Sequence, residues 1–289
     1  MFIDYFNPYA YLMRARRFAY RRGWLRSQAA EVPVVSVGNL TMGGTGKSPM
    51  VLLIAEYLER KGKRVAIVSR GYKRASKGLV IVRNGGDILV PVEESGDEPQ
   101  MVAALLPNAI VIVDEARVRG AQRARELGAE VIILDDGFQH LQLKRDVNIL
   151  LANGEVSAVL PFGHAREPES AMQAADLIVF TDGEEKNGKR NEAEIVVTSV
   201  PSKLQSFTNA EVPLASLRDK SVLALSSIAR PERFQNMLTT LGASVTPFAL
   251  SDHAPYSKEL AKKIMQSAEA CSAELIITTM KDAAKSKRF

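Results

Sequence analysis

Between Val34 and Gly62 a β-branched run is followed by a glycine-rich turn, a Lys-Ser pair and apolar residues at helical spacing. Gly43, Gly44 and Gly46, with Thr45 between them, allow positive φ and let backbone N–H groups face an anion. A helix beginning near Ser48 would aim its N-terminus at the same point. Lys47 would reach the β- and γ-phosphates of a nucleotide, and Ser48 would ligate Mg²⁺. The strict pattern G-x-x-x-x-G-K-[ST] is met at Gly46, Lys47 and Ser48, whereas its first glycine is replaced by Thr41.

Three further stretches carry chemistry-bearing side chains. "EVIILDDGFQH" ends an apolar run in Asp135-Asp136. A carboxylate at the end of a strand neighbouring the phosphate loop is where Mg²⁺ is held in nucleotide-dependent phosphotransferases. Asp-Gly is also a common strand-ending turn. "SGDEPQ" puts Asp97 and Glu98 at a helix start, where an Asp serves either as N-cap or as a general base near a γ-phosphate. "LSDHAPYS" sets His253 beside Asp252, either as a surface pair or as a group tuning a carboxylate or binding phosphate. "SRGYKR" offers Arg70, Tyr72, Lys73 and Arg74, and "AREPES" offers Arg166 and Glu167. Both sets suit an anionic second substrate, and both would also serve as solvated loops. Three His and one Cys are too scattered for zinc.

These residues need a scaffold, and the hydrophobic pattern supplies one. Apolar β-branched runs at 32–37, 65–69, 109–113, 131–134, 147–151, 177–180, 195–197, 222–225, 245–248 and 275–278 predict strands. Helical periodicity occupies 49–61, 98–106, 116–127, 231–241 and 258–271. That alternation predicts α/β architecture, with a P-loop NTPase-type parallel sheet covered by helices on both faces. The runs 79–82 and 88–90 around "RNGGD" read as a hairpin. The polar stretch 181–194 reads as a surface loop. A fresh βαβ pattern after 209–220 marks a smaller α/β domain. The resulting division is 1–30, 31–210 and 211–289.

The net charge is +5, from 38 basic and 33 acidic residues. Arg14, Arg16, Arg17, Arg21, Arg22 and Arg26 face one acid, Asp4, in residues 1–30, so the remainder is balanced. A nucleic-acid binder spreads basic groups over a domain face, so no such partner is expected. The same stretch is rich in Phe, Tyr and Trp, and Asn7-Pro8 predicts a helix start, with a helix over about 8–25. Tyr9, Leu12, Met13 and Tyr20 would share one side and Arg14, Arg17 and Arg21 another. Such a helix suits either the headgroup layer of an anionic leaflet or docking on the domain. No apolar run is long enough to span a bilayer or to form a secretory core. A lone cysteine, Cys271, allows no disulfide within the chain, as in a reducing cytosol.

"VGNLTMGGTGKSP", "SRGY", "GDEP", "DDGFQHLQLKRD", "REP", "PERF" and "DHAPY" occur in that order. Together they resemble the tetraacyldisaccharide 4'-kinase family of lipid A biosynthesis over residues 32–284. The resemblance implies ATP and Mg²⁺ as cofactors. It implies transfer of the γ-phosphate to the 4'-hydroxyl of a tetraacylated glucosamine disaccharide 1-phosphate, giving the bisphosphorylated lipid A precursor. It further implies a hinge-linked smaller domain, an N-terminal helix meeting the cytoplasmic face of the bacterial inner membrane, and a monomer. Carried over residue by residue, Lys47 and Ser48 match the P-loop pair, and Asp135 and Asp136 the acidic pair near magnesium. Asp97 matches the base and His253 its partner. Arg70, Tyr72, Gln139, Arg166 and Glu167 are assigned to substrate. The chain departs from the family at "SIARPERF", at Met280 where Glu is common, and at "GHAREP". The turn also resembles the loop K-G-G-x-G-K-[ST] of partitioning ATPases, membrane-associated switches that form the alternative. Their extra lysine, which reaches a dimer partner, is Met42 here.

Overall fold

The computed structural model describes residues 6–43, 45–153, 157–181, 193–198, 200–208, 210–228, 230–251, 254 and 256–286. The chain divides into two compact units, Met1–Ser199 and Val200–Phe289.

Unit 1 is built on an eight-stranded sheet. Its strands are β1 (Val34–Asn39), β2 (Val65–Ser69), β3 (Val80–Asn84), β4 (Ile110–Val113), β5 (Val131–Asp135), β6 (Val147–Ala152), β7 (Leu177–Thr181) and β8 (Glu194–Val197). They lie in the order β3-β4-β2-β5-β1-β6-β7-β8. Every neighbouring pair is parallel except β3 and β4. The central strands VAIVS and IVIV are buried throughout, as strands covered on both faces must be. Side chains alternate between the two faces. Ala66, Val68, Ile110, Ile112, Ile132 and Leu134 pack with Ala121 and Ala124 of α5 (Arg117–Glu126). Gly120 lets that helix lie close, since a Cβ there would stand 2.9 Å from Val68 Cγ1. α2 (Lys47–Arg60) buries Val51 and Ala55 and contacts β1, β2, β5 and α4 (Asp97–Leu105). A one-turn helix, α3 (Val92–Ser95), precedes α4.

β1 sits between β5 and β6, so the order reverses beside it. At such a switch point the loops leaving the carboxyl ends open a crevice for ligands. The predicted 79–82/88–90 hairpin forms, but with a short second arm: the Leu89 N–H donates to the Val82 carbonyl at 2.9 Å. β3 is a strand, but it pairs antiparallel with β4, and the return arm is a single bridge from Ile88 to Arg83. Two successive glycines, Gly85 and Gly86 at φ 68° and 65°, make the turn, after which the chain leaves the sheet edge.

α1 (Pro8–Arg21) begins as the sequence predicts: Asn7 accepts from the N–H groups of Tyr9 and Ala10, and Pro8 fills the first position. It stops short of residue 25, with Gly23 at φ 74°. Its predicted faces are also corrected. Ala10 is fully buried against Val159 and Ala165, whereas Tyr11 and Leu12 are exposed. Arg17 turns inward to the Phe138 ring, 4.5 Å from its centroid, instead of sharing an outer face with Arg14 and Arg21. The inner face is therefore held by polar anchors, and large apolar groups (Phe6, Tyr11, Leu12, Phe18) remain outside.

Unit 2 has a three-stranded parallel sheet in the order β12-β11-β13, where β9 (Leu204–Gln205) and β10 (Glu211–Val212) form a small separate ladder. β11 (Ser221–Ser226) is central, flanked by β12 (Ser244–Ala249) and β13 (Leu275–Thr278). Val222 and Ala224 pack with Phe234 and Leu238 of α6 (Pro231–Thr240). Leu223 and Leu225 pack with Ile264 and Ala268 of α7 (Lys258–Ala270). Odd and even residues of one strand thus recruit helices on opposite faces. α8 (Met280–Ser286) follows β13.

Candidate active site

The turn after β1 forms as its glycines require. Gly43 stands at φ 114° with open space where a Cβ would sit, and Gly46 at φ 82° caps α2. Lys47 and Ser48 are the first two residues of that helix, so their backbone N–H groups belong to its unsatisfied first turn. Thr45 is buried, and its carbonyl accepts from Thr181 Oγ1 at the end of β7. Lys47 Nζ donates to Asn39 Oδ1 at 3.1 Å and lies 3.6 Å from Asp136 Oδ1. The ammonium is thereby aimed back over the turn that would carry a triphosphate.

Arg166 reaches the same point. The segment 164–166 runs alongside the lead into the turn, with Met42 N–H donating to the His164 carbonyl and Arg166 N–H to the Leu40 carbonyl. Its guanidinium clamps Asp136 through two bonds of 2.7 and 2.8 Å and also donates to the Asn39 carbonyl and side chain. Asp136 sits at φ 51°, a left-handed conformation that Asp tolerates at modest cost. Gly137 follows because a Cβ there would meet Leu134 at 2.6 Å and Ser36 Oγ at 2.8 Å. The Asp-Gly turn is therefore real, and it is what lifts the second carboxylate toward Lys47 and Arg166.

The two acids titrate in opposite directions. Burial pushes Asp135 up to about 7, the charges of Glu98 and Asp136 push the same way, and Lys47 and the Ser69 hydroxyl at 3.2 Å offset this only in part. Burial acts on Asp136 too, but the Arg166 hydrogen bonds and the Lys47 charge overcome it and hold the carboxyl at about 2. An adjacent pair split in this way is a feature of functional sites. Asp135, Asp136 and Ser48 each carry oxygen donors of the kind a hard cation takes. Among the described residues no group of three or more His, Cys, Asp or Glu could hold a metal alone.

The other predicted residues divide. Asp97 is the first residue of α4 and not its cap; Gly96 takes that place at φ 87°. Gly96 has no room for a side chain, because a Cβ would lie 3.1 Å from the Tyr72 carbonyl, and a Cβ on Gly71 would lie 2.9 Å from the Ser95 carbonyl. The "SRGY" and "GDEP" segments therefore interlock at the carboxyl edge of the sheet. Arg70 and Tyr72 are exposed there. Arg74 is committed elsewhere, to Glu115 and the Gly78 carbonyl. Gln139 donates to the Asn39 carbonyl at 2.9 Å. Glu167 is buried and pairs with Arg17 of α1, so it serves the seat of that helix, beside an Arg166 that serves the acidic pair. Gly44 and His253 lie outside the described residues.

Sequence reading missed two participants, Asn39 and Arg117, and the effect of a third, Glu98. Asn39, fully buried, joins Lys47, Arg166 and Gln139. Glu98 raises the Asp135 pKa through its charge. Arg117 is buried at the start of α5; desolvation lowers its pKa, and the charges of Asp136 and Asp135 act against that. A cation at a helix N-terminus opposes the macrodipole, and that was its one sequence signal. His140, held down to about 4 by burial and by Arg117, Arg145, Arg16 and Arg70, is neutral at physiological pH.

A parallel sheet with a glycine turn at its switch point, a Lys-Ser helix start and a strand-end acidic pair defines an α/β nucleotide-dependent phosphotransferase of the P-loop type. The model of one such family, described as LpxK, tetraacyldisaccharide-1-P 4'-kinase, matches residues 7–289. The tetraacyldisaccharide 4'-kinase of Geobacter metallireducens is 38% identical over 294 residues, covering 96% of this chain and 86% of the relative. That of Syntrophotalea carbinolica is 41% identical, covering 96% and 80%. Among solved structures, LpxK from Aquifex aeolicus in complex with ATP superposes with a TM-score of 0.80 at 35% identity, covering 97% of this chain and 88% of that one. The chain belongs to the tetraacyldisaccharide-1-phosphate 4'-kinase family.

Proposed function

We propose that this chain transfers the γ-phosphate of ATP to the 4'-hydroxyl of a tetraacylated glucosamine disaccharide 1-phosphate, in the synthesis of lipid A. The observation that carries the reading is the convergence of Lys47 and Arg166 on both Asp136 and Asn39, directly behind the glycine turn. Phosphoryl transfer asks a protein mainly for positioning and charge neutralisation. The turn 43–48 cradles the phosphates with backbone N–H groups and the Lys47 ammonium. Ser48, Asp135 and Asp136 hold Mg²⁺, which supplies charge neutralisation on the phosphate oxygens. Arg166 keeps Asp136 ionised and fixed, and Arg117 and Arg70 add positive potential beside it. Asp97 accepts the proton of the attacking hydroxyl, with His253 as its partner. Arg70, Tyr72 and Gln139 border the acceptor.

The acceptor is a lipid, and the outer face of α1 suits its surroundings. Among the described residues no helix is long and apolar enough to cross a membrane. Exposed Phe6, Tyr11, Leu12, Phe18 and Trp24 alternate with arginines, the composition of a helix lying in an anionic headgroup layer. Removing acyl chains from a bilayer costs about 0.8 kcal/mol per CH₂, so acting at the surface avoids full extraction. We place the protein peripherally on the cytoplasmic face of the bacterial inner membrane as a monomer, with 1–30 as interfacial segment, 31–210 as kinase domain and 211–289 as the smaller domain.

The test is labelled ATP with the tetraacyl disaccharide 1-phosphate in mixed micelles. A labelled 4'-phosphorylated lipid is expected, and release of inorganic phosphate without it would refute the reading. Asp97→Ala should lower turnover about 10²-fold or more while ATP still binds. Near-normal turnover would remove Asp97 from its role. ATP-dependent dimerisation with no lipid product would favour the partitioning-type switch instead.

A further inference from the structure

We infer that Arg17 of the N-terminal helix is a positioning residue for phosphoryl transfer, so that the seat of α1 on unit 1 is part of the catalytic machinery and not only an anchor. This rests on the phosphotransferase reading above and deepens it.

The inference starts from where the two inner arginines of α1 end. Arg17 pairs with buried Glu167, lies over the Phe138 ring and donates to the Phe138 carbonyl at 3.2 Å. Arg16 donates to the next carbonyl, Gln139, at 3.0 Å. Arg145 supports the same turn from the protein side, donating to the Phe138 carbonyl at 3.2 Å. These carbonyls belong to the loop that carries the acidic pair, one and two residues beyond Gly137. Phe138 is itself wedged: it is buried, and a Cβ on Gly38 of β1 would meet it at 2.6 Å.

Two routes run from Arg17 and Arg16 to the reacting region. The first passes from Glu167 to its chain neighbour Arg166, whose guanidinium clamps Asp136. The second passes from the Gln139 backbone to its side chain, then to Asn39, the group that holds Lys47. Asp136 is in a left-handed conformation, which persists only where its surroundings fix it. The α1 arginines supply donors to the outer side of that turn. The Arg17 side chain is 16% exposed and is occupied by Glu167 and Phe138, so its hold on this geometry is separable from the role proposed for the outer residues at a membrane.

The experiment compares wild type, Arg17→Ala, Arg17→Lys and Glu167→Gln in the labelled-ATP assay, with vesicle co-sedimentation and thermal melting alongside. For Arg17→Ala the expected result is a fall in kcat of at least about tenfold, a severalfold rise in the Mg²⁺ concentration for half-maximal rate, and vesicle binding and lipid KM within about twofold of wild type. Arg17→Lys, which keeps the charge beside Glu167, should recover part of kcat. Glu167→Gln carries the same expectation should Arg17→Ala lose its cooperative melting transition. Unchanged kcat and Mg²⁺ requirement, or a loss confined to vesicle binding and lipid KM, would overturn the inference. A wild-type protein that makes no lipid product would instead overturn the phosphotransferase reading.

Discussion

Asp135 of unit 1 and Asp282 of unit 2 are both buried at the carboxyl edge of a parallel sheet, and the two are treated oppositely. Asp282 of unit 2 is fully buried and accepts from the Ser227 N–H, the Ser227 hydroxyl and the Thr279 hydroxyl. Asp135 of unit 1 is almost as buried, yet among the described residues the Ser69 hydroxyl is its one donor, and two further acids crowd it. A carboxylate whose lone pairs are filled ties elements together. One left short of donors among like charges is poised for a cation. Burial of an acid is therefore uninformative until its donors are counted.

Asparagine substitution separates the two sites most sharply. Asp135→Asn is expected to reduce phosphotransfer about 10³-fold or more, by removing a magnesium ligand from a reaction that depends on charge neutralisation. It should also raise the melting temperature of the metal-free protein, because the desolvated charge is gone. Asp282→Asn should do the reverse. It replaces one accepting oxygen with an NH₂ donor that faces donors that stay buried, at a cost of about 1–3 kcal/mol, and leaves the KM for ATP near its wild-type value. Kinetics and melting curves on both variants read this contrast, and equal effects on stability would erase it.

Arg166→Lys is the next step down. A lysine keeps the positive charge but not the two-pronged grip on Asp136, so kcat should fall about 10- to 10²-fold with melting nearly unchanged. A rate within twofold of wild type would show that charge alone suffices there.

Much of this was legible in the chain. Alternating β-branched runs and helical periodicity foretold the sheet, because strands buried on both faces admit little else. Gly43, Gly46 and Gly137 were visible because backbone geometry at those positions excludes other residues. The hairpin's return arm at Ile88 was legible, but not its shortness or the pairing of β3 with β4, since an apolar run does not reveal which strand it will meet. The inner face of α1 was misjudged because a small residue, Ala10, together with Asn7, Arg16 and Arg17, holds it, and not the large apolar side chains. Asn39 and Arg117 escaped notice, and Glu98 was noticed without its effect on Asp135, because these roles depend on neighbours far away in sequence. Asn39 meets Arg166 across 127 positions.

The smallest expected effect is a matter of pH, and it has a definite sign. The folded-state pKa of Asp135 is about 7, above its ordinary value of 3.8. Its contribution to metal-free stability therefore declines as pH rises from about 4 to about 7. Asp136, held at about 2, contributes stability above about 4 that is lost as pH falls toward 2. A metal ion must displace the Asp135 proton, so Mg²⁺ binding should weaken as pH drops below 7, by at most about tenfold per unit. The decisive measurement is the Mg²⁺ concentration giving half-maximal lipid phosphorylation at pH 6 and at pH 8. A requirement several-fold higher at pH 6, abolished as a pH effect in the residual activity of Asp135→Asn, is expected if the acidic pair holds the metal for the transferred phosphate. An identical requirement at both pH values in the wild-type protein would contradict that assignment.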